Sequence, residues 1–445
     1  MTRSNGILHW VMPAMLALAA LTVLLSGRDL SLMFSELQSG EAGFRHPIVV
    51  WAQRGVSLLV LAACSERIVS HFVQHRQLPS PILAWSFVTY WVATVAAPAM
   101  FGAHPNLSHE YLYTLLIGFA YMLTTVRDRD MLLDASRSAL LLFMLAGVLL
   151  IPIFPAMVLD ANYKEGLLPG VPRLGGLATH PVALGMFAQT ALLLLWARPY
   201  QRPWLNRLSW LLGMSVLVMA QSKTAWIAFV LCGAFMLAVR NGPSFWRRLG
   251  DPKQGGFGIV VCLSVMAGAI GVLAVFLLTD PEGQWVGFLD TAQGAQLMSM
   301  SGRDRIWAVA IEEWRAHPVF GYGPNLWDDA FRASIGMPNA INAHNQFMDT
   351  LARSGTVGAV ALVLYASVLL VLSVRHARAT GGLSLALFLG LALLSISEVP
   401  IMLFAYGTEP FGHLLLLAVL PSAGAMSAAR VLPARTRPMY GTVSS

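Results

Sequence analysis

Residues 356–374 read TVGAVALVLYASVLLVLSV, nineteen residues without a charged side chain. A run of this composition can cross the hydrocarbon core of a bilayer as one helix, which takes about 20 apolar residues. The rest of the chain has the same character, because 56% of its 445 residues are hydrophobic and only 11% are charged, against roughly 25% charged in soluble domains. These figures exclude a soluble enzyme, a disordered chain and a fibrous repeat, and they predict an all-α polytopic integral membrane protein.

Eleven further apolar runs, separated by polar clusters, bring the expected number of transmembrane helices to about twelve. The first run is not followed by a small-residue cleavage site, so we interpret it as a retained span rather than a signal peptide. The spans are expected near residues 7–25, 47–64, 81–101, 110–126, 138–159, 181–197, 205–220, 223–239, 257–278, 356–374, 382–400 and 411–428.

The distribution of basic residues predicts the orientation of these spans, because short cytoplasmic loops collect Lys and Arg. Arg375 and Arg378, directly after 356–374, belong to the side that holds 18 of the 29 basic residues and five acidic ones, a balance of +13. The remainder of the chain carries −6, and the two balances account for the net charge of +7. Both termini are therefore expected in the cytoplasm. The basic excess indicates topology, and no nucleic-acid partner is needed to explain it.

One long polar segment, residues 279–355, interrupts the series of spans on the outer side. It divides the chain into residues 1–278 with nine spans, the segment 279–355 itself, and residues 356–445 with three spans and a basic tail. With five basic and nine acidic residues the segment is net −4, so its arginines are not a diffuse polybasic patch. We expect function to reside in this outer segment.

The outer segment is expected to contain three helices, separated by Pro318, by the GYGP turn at 321–324 and by Pro338. Ser301 with Asp304 resembles a capping box for the first helix. The helices are predicted at residues 301–316, 325–334 and 343–354.

Asn342 is the predicted N-cap of the third helix, and Gly355 is its predicted end. This arrangement places His344 in the first helical turn, where the positive end of the helix disfavours an imidazolium. A neutral histidine at that position can accept a proton.

These residues resemble a known family. SGRDRIWAVAIEEWRAHPVFGYGP at 301–324 and AHNQFMDTLARSGTVG at 343–358 look like the signature half of the bacterial O-antigen ligase and polymerase superfamily. PRLGGLATHP at 172–181 and SKTAW at 222–226 are similar to two upstream pieces of that signature. The sequence departs from the family pattern at Lys223, where the family usually has Arg, and at Arg353, where many members have Glu. We therefore do not expect Arg353 to be catalytic.

The resemblance implies a GT-C-like glycosyltransferase architecture and a location in the bacterial inner membrane, with the active site facing the periplasm. It also implies transfer of a polysaccharide from undecaprenyl diphosphate to an acceptor sugar, which in the ligase branch belongs to the lipid A-core oligosaccharide. An O-antigen polymerase or a protein O-oligosaccharyltransferase of the same superfamily would share this donor chemistry. A transporter or flippase, favoured by twelve spans alone, is the alternative of a different class, and it would predict inverted repeats.

Glycosyl transfer from a lipid diphosphate requires a base for the acceptor hydroxyl and cations for the leaving diphosphate. His344 is the candidate base, because a positioned histidine suits proton abstraction near neutral pH; its alternative is a histidine that is merely hydrogen-bonded at a helix start. Arg303 is the candidate diphosphate clamp, because a guanidinium binds phosphate bidentately and stays charged.

Six further residues are candidate diphosphate or substrate contacts, each with a structural alternative. The alternative for Arg173 is a side chain that snorkels to the membrane interface. For Arg305 it is a solvated side chain, and for Lys223, expected as a buried cation at the membrane boundary, it is an ion pair. The alternatives for Asn345, Tyr322 and His180 are capping of the turn, packing within the turn, and a structural histidine at a helix entry.

The outer segment contains no DxD motif; the nearest acidic pairs are Asp328 with Asp329, adjacent on a predicted helix, and Asp128 with Asp130, in a predicted cytoplasmic loop. The three cysteines all fall in predicted spans. We therefore predict a reaction without metal or other cofactor, in which arginines neutralise the leaving group. Direct displacement by a base-activated hydroxyl favours inversion at the anomeric carbon. Glu398, near the end of the eleventh span, is expected either to pair with Arg54 inside the membrane or to help shape the active site.

Overall fold

The computed structural model describes residues 6–32, 46–74, 76–163, 168, 170–249, 303–338, 340–404, 407–408 and 410–431. A short 3-10 helix, Gly6–Trp10, leads into the first long helix. The helices are α1 Val11–Ser26, α2 Pro47–Val73, α3 Pro81–Phe101, α4 Tyr111–Met122, α5 Val126–Leu149, α6 Pro181–Ala197, α7 Pro203–Met219, α8 Lys223–Leu249, α9 Arg303–Ala316, α10 Asp329–Ser334, α11 Gln346–His376, α12 Leu383–Leu394 and α13 Phe411–Val431.

The described residues confirm an all-α polytopic membrane protein. Six of these helices are long and apolar enough to cross a membrane: Ile7–Ser26, Pro47–Val73, Pro81–Phe101, Val126–Leu149, Lys223–Gly242 and Gln346–His376. Shorter apolar helices lie at Tyr111–Met122, Pro181–Ala197, Leu383–Leu394 and Phe411–Ala423. The predicted ninth span, 257–278, lies outside the described residues, as does the first part of the outer segment, up to residue 302.

The fifth predicted span, 138–159, is wrong in its position, since α5 covers Val126–Leu149. The helix begins early because Thr125 and Asp128 form a capping box. It ends early because Pro152 and Pro155 follow. Charged residues that the hydropathy pattern assigns to a loop therefore lie on the first turns of a helix.

Those charged residues pair with one another and with neighbouring elements. Arg67 of α2 lies 2.9 Å from Asp128, and Arg198, directly after α6, lies 2.9 Å from Asp134 and 3.0 Å from Asp130. We call the whole group the Asp134 cluster; its members are Arg67, Asp128, Arg129, Asp130, Asp134, Arg137 and Arg198.

Helix α6 has the bounds predicted from the sequence and lies inside the bundle, with eleven of its seventeen residues buried. His180 precedes it and Arg198 follows it. The only two strands in the described residues, Leu159–Asp160 and Arg173–Leu174, form a short antiparallel ladder shortly before α6. This ladder and α6 place Arg173 and His180 at the same end of the bundle.

Helix α12 ends at Leu394, so the predicted span 382–400 is too long. Pro400 disfavours helical geometry at the residue before it, and residues 395–400 form turns instead. Glu398 therefore lies in a loop beyond the helix rather than within it.

Helix α11 is interrupted at Gly355, as predicted, because this residue has φ 63°. The amide groups of Thr356 and Val357 donate to the carbonyl oxygens of Pro318 and Val319, at 2.8 and 3.2 Å. A Cβ added at Gly355 would lie 2.3 Å from the Val319 oxygen. Only glycine allows the two segments to approach this closely.

Candidate active site

The loop before α11 carries His344, and its geometry differs from the prediction. The N-cap is Asn345, whose side chain accepts a hydrogen bond from the Met348 amide at 3.0 Å, and the helix begins at Gln346. Asn342 instead accepts a hydrogen bond from the His344 amide at 2.7 Å. His344 therefore lies before the helix rather than in its first turn, and its backbone has φ 46°, the left-handed region.

Glu398 links His344 to Arg303. One carboxylate oxygen lies 3.4 Å from Nδ1 of His344 and the other lies 3.8 Å from a terminal nitrogen of Arg303. The three side chains are 19–26% exposed, so a ligand can reach them. Of the two roles predicted for Glu398, the structure favours shaping this site, because Arg54 lies over the ring of Trp51, 5.1 Å from its centroid.

Three hydrogen bonds hold the Glu398 loop against the start of α11. The Gln346 amide donates to the Ser395 carbonyl oxygen at 2.9 Å, and the Gln346 side chain accepts from the Ile401 amide at 2.8 Å. Asn345 is a predicted substrate contact. Its side-chain NH₂ donates a hydrogen bond to the Ile396 carbonyl oxygen at 3.2 Å, and its side-chain oxygen caps the helix. The structure therefore gives Asn345 the capping role that was its alternative.

Arg173 is buried on the second strand of the ladder. Its Nε donates to the Ala220 carbonyl oxygen at 2.9 Å, and its guanidinium lies 4.4 Å from the centroid of the Tyr163 ring. Ala220 belongs to the turn that leads through Gln221 and Ser222 into Lys223. Arg173 is thus fixed against the start of α8 and is not an interfacial, snorkelling side chain.

Lys223 is the first residue of α8 and is exposed, contrary to the expectation of a buried cation. The next residue, Thr224, is contacted by the Ser397 hydroxyl at 3.1 Å between the two Oγ atoms. Because Ser397 precedes Glu398, this contact brings the start of α8 to the Glu398 loop.

His180 caps α6, since its Nδ1 accepts a hydrogen bond from the Val182 amide at 3.2 Å. Burial lowers the pKa of His180 to about 4, with the positive charge of Arg173 as the next cause, while the negative charge of Glu398 opposes the shift. His180 is therefore neutral at pH 7, and it lies close enough to Arg173, Glu398 and His344 for these groups to affect its pKa. We call the whole group the His344 cluster; its members are Arg173, His180, Lys223, Arg303, His344 and Glu398.

Arg305 and Tyr322 lie apart from the contacts that define this cluster. Arg305 is exposed on α9, two residues from Arg303 and therefore on another side of the helix. The Tyr322 ring stacks on His104 at 4.2 Å and contacts Phe331 edge-on at 5.0 Å. Tyr322 thus packs against the small hydrophobic core of the outer segment, which was its structural alternative.

Arg28 helps to hold a loop of the candidate site in place, and the sequence analysis did not predict this role. Its guanidinium donates to the carbonyl oxygens of Gly176 and Ala178 at 2.7 Å, Met157 at 3.1 Å and Thr179 at 3.2 Å. These bonds fix the loop between Arg173 and His180. Its sequence signal is an arginine directly after the first span on the predicted outer side, where the positive-inside rule does not explain it.

Within the described parts of the chain, no group of three or more His, Cys, Asp or Glu side chains is arranged to hold a metal ion. Cys64 and Cys232 are buried, each in one of the predicted spans; Cys262 lies outside the described residues.

Residues 208–363 match the family model described as O-antigen ligase. The matched range contains Lys223, Arg303 and His344, whereas Arg173 and Glu398 lie outside it. No curated protein matches the chain. The match to residues 208–363, together with the polytopic helical fold, supports a relationship of this chain to the O-antigen ligase and polymerase superfamily.

Proposed function

We propose that this protein is an O-antigen ligase, a glycosyltransferase that moves O-antigen polysaccharide from undecaprenyl diphosphate to a sugar hydroxyl of the lipid A-core oligosaccharide. The observation that carries the proposal is the contact of Glu398 with both His344 and Arg303, at 3.4 and 3.8 Å. It unites a candidate base and a phosphate-binding cation in one accessible site. The proposed location is the periplasmic face of the inner membrane, in agreement with the distribution of basic residues.

His344 is the base in this proposal. A carboxylate only accepts hydrogen bonds, so Glu398 favours the tautomer of His344 with the proton on Nδ1 and leaves Nε2 to accept the acceptor's proton. As that proton moves to Nε2, the acceptor oxygen bonds to the anomeric carbon, and the bond from that carbon to the diphosphate oxygen breaks. Glu398 then stabilises the imidazolium. Displacement in a single step inverts the anomeric centre.

His180 is less suited to the same task. Its Nδ1 lone pair is engaged by the Val182 amide, and the pKa of about 4 makes it a weak proton acceptor at pH 7. We assign it to capping α6 and to the wall of the site.

The diphosphate is bound by cations in this proposal. Arg303 contacts Glu398, and Arg173 lies close to His180. The Thr224–Ser397 contact brings the start of α8, which carries Lys223, to the Glu398 loop. Fixed cations of this kind stabilise the negative charge that grows on the leaving diphosphate. We propose that these side chains do so without a divalent cation.

Reconstitution tests the proposal directly. Proteoliposomes with purified undecaprenyl-diphosphate-linked O-antigen and rough lipopolysaccharide should yield a ladder of capped product on a gel, with or without EDTA. A ladder that forms only when a second lipid-linked repeat is supplied would indicate a polymerase. Loss of the ladder in EDTA would contradict the metal-free reaction. Movement of donor across the bilayer without any new glycosidic bond would indicate a flippase.

A further inference from the structure

The backbone of His344 is held in a conformation that histidine rarely adopts. A φ of 46° lies in the left-handed region, which a residue with a side chain adopts at a cost in conformational energy. Such strain persists only where surrounding contacts maintain it. Besides the bond from the His344 amide to Asn342, two such contacts lie at the preceding residue, Ala343, which is fully buried.

Both polar groups of Ala343 are bound by side chains from two different helices. Its amide donates to Oδ1 of Asp349 at 3.0 Å, and its carbonyl oxygen accepts from Nε1 of Trp307 at 2.9 Å. Asp349 belongs to α11 and Trp307 to α9. We call Trp307, Ala343 and Asp349 the Ala343 clamp.

Asp349 is itself rigidly held. Besides the Ala343 amide, Oδ1 accepts from Nε1 of Trp327 at 2.9 Å, and Oδ2 accepts from Nε of Arg353 at 2.9 Å. The residue is 1% exposed. A buried carboxylate with this many donors has little freedom to move, so it is a fixed anchor for the residue before His344.

Trp307 connects the clamp to Arg303. The two residues are four apart on α9, and side chains with this spacing lie on the same face of a helix, one turn apart. Helix α9, which carries Arg303, therefore also donates a hydrogen bond to the residue before His344, although Arg303 and His344 are far apart in sequence.

We infer that Trp307 and Asp349 are positioning residues that set the placement of His344 relative to Arg303. The functional part of this inference rests on the proposed transfer reaction. The structural part, that the clamp restrains residues 343–344, does not depend on it.

The test compares Trp307→Phe with Trp314→Phe. Both changes remove one indole N–H from α9 and keep an aromatic ring, but Trp314 donates to the hydroxyl of Thr356 at 3.1 Å, away from Ala343. Because a misplacement of about 1 Å can cost about 100-fold in rate, Trp307→Phe should lower kcat by about 10- to 100-fold. The KM values for undecaprenyl-diphosphate glycan and rough lipopolysaccharide should stay within about twofold. Trp314→Phe should change neither constant appreciably.

Hydrogen exchange of the amides in residues 340–348 gives a readout without turnover. Exchange should be faster in Trp307→Phe and in Asp349→Asn than in the wild-type protein and Trp314→Phe. Equal exchange in all four proteins overturns the clamp. A raised KM with unchanged kcat in Trp307→Phe overturns the positioning role, because it makes Trp307 a substrate contact. A wild-type protein without transferase activity contradicts the proposed function alone, and the exchange measurement still decides the clamp.

Discussion

The Asp134 cluster and the His344 cluster lie at opposite ends of α6, about 27 Å apart at 1.5 Å per residue from His180 to Arg198. In the Asp134 cluster, four arginines meet three carboxylates at 2.6–3.4 Å. In the His344 cluster, the contacts of Glu398 with His344 and Arg303 are longer, at 3.4 and 3.8 Å.

The difference indicates what each end of the bundle does. Nearly balanced charges at short distances satisfy one another and fix helices in place. The longer contacts among the partly exposed side chains of the His344 cluster leave its cations accessible to an anionic ligand. We therefore expect stability to depend on one end and ligand binding on the other, and substitutions at the two ends should separate these properties.

The largest expected effect is that of His344→Ala. Removing a general base should lower transfer by about 1,000-fold or more, with unchanged expression and thermal stability. The measurement is the rate of ladder formation in proteoliposomes, and His317→Ala, an exposed histidine after α9, is the control. Retention of more than a tenth of the wild-type rate would remove His344 as the base.

Arg303→Ala should come next, with a loss of about 100-fold in kcat, because it removes a donor that stabilises the leaving group. Arg303→Lys should recover part of this loss, since it restores the charge but not the planar fork. Arg315→Ala, an exposed arginine near the other end of α9, serves as the control in the same assay. Equal rates for Arg303→Ala and Arg315→Ala would contradict the role of Arg303.

Asp128→Asn should have the opposite effect to the substitutions at the His344 cluster: it should reduce stability without changing the KM or kcat of the folded protein. The Asp128 side chain is 8% exposed and Arg67 is 16% exposed, so breaking the pair should cost about 3 kcal/mol. Thermal unfolding in detergent measures the change. Asp329→Asn, at a carboxylate that is 84% exposed, should have little effect. A catalytic defect in Asp128→Asn would contradict the expectation that the Asp134 cluster affects stability alone.

His180 should make stability depend on pH. Its pKa falls from 6.5 to about 4 in the folded protein, so between these values the unfolded chain binds a proton that the folded chain does not. Stability should therefore fall as the pH drops from about 6.5 to about 4, with no contribution from His180 above this window. His180→Asn keeps a capping side chain and should show a smaller drop in Tm between pH 7 and pH 5. An identical drop would contradict the lowered pKa.

Lys223→Arg should have the smallest effect. Lys223 is exposed, so a larger cation fits without repacking, and KM for the donor should stay within about threefold. Lys223→Met provides the comparison, because it removes the charge and keeps the length. If Lys223→Met matches the wild-type protein, Lys223 does not contact the diphosphate.

Hydropathy predicted most of the membrane helices, and α6 to the residue, because the apolar run 181–197 has sharp ends at His180–Pro181 and Arg198. The prediction was wrong for the start of α5, where ion pairs allow charged residues to lie in a helix of the bundle. Asp128 and Arg129 look like loop residues in a linear pattern, and their partners Arg67 and Ser422 are distant in sequence.

The candidate site was predictable in its residue types and less so in its geometry. Arg303 and His344 were predicted from side-chain chemistry and the family resemblance, and the structure brings both to Glu398. The choice between Asn342 and Asn345 as N-cap depended on contacts with Ile396 and Ser395 from another part of the chain. The position of Glu398 beside His344 depends on the early end of α12, at Leu394. The role of Arg28 depends on carbonyl groups about 150 residues away in sequence, which no local pattern indicates.

The length of α6 has a consequence for where the proposed reaction takes place. Its seventeen residues span about 26 Å, slightly less than the roughly 30 Å of a hydrocarbon core and well within the 40–45 Å that includes both headgroup layers. Under the proposed function, we expect the His344 cluster, at one end of this helix, at the depth of lipid headgroups. A lipid would present its diphosphate there while its chain stays in the bilayer. The concentrations that govern the proposed transfer are then the surface densities of two lipids in one leaflet rather than molarities in bulk water.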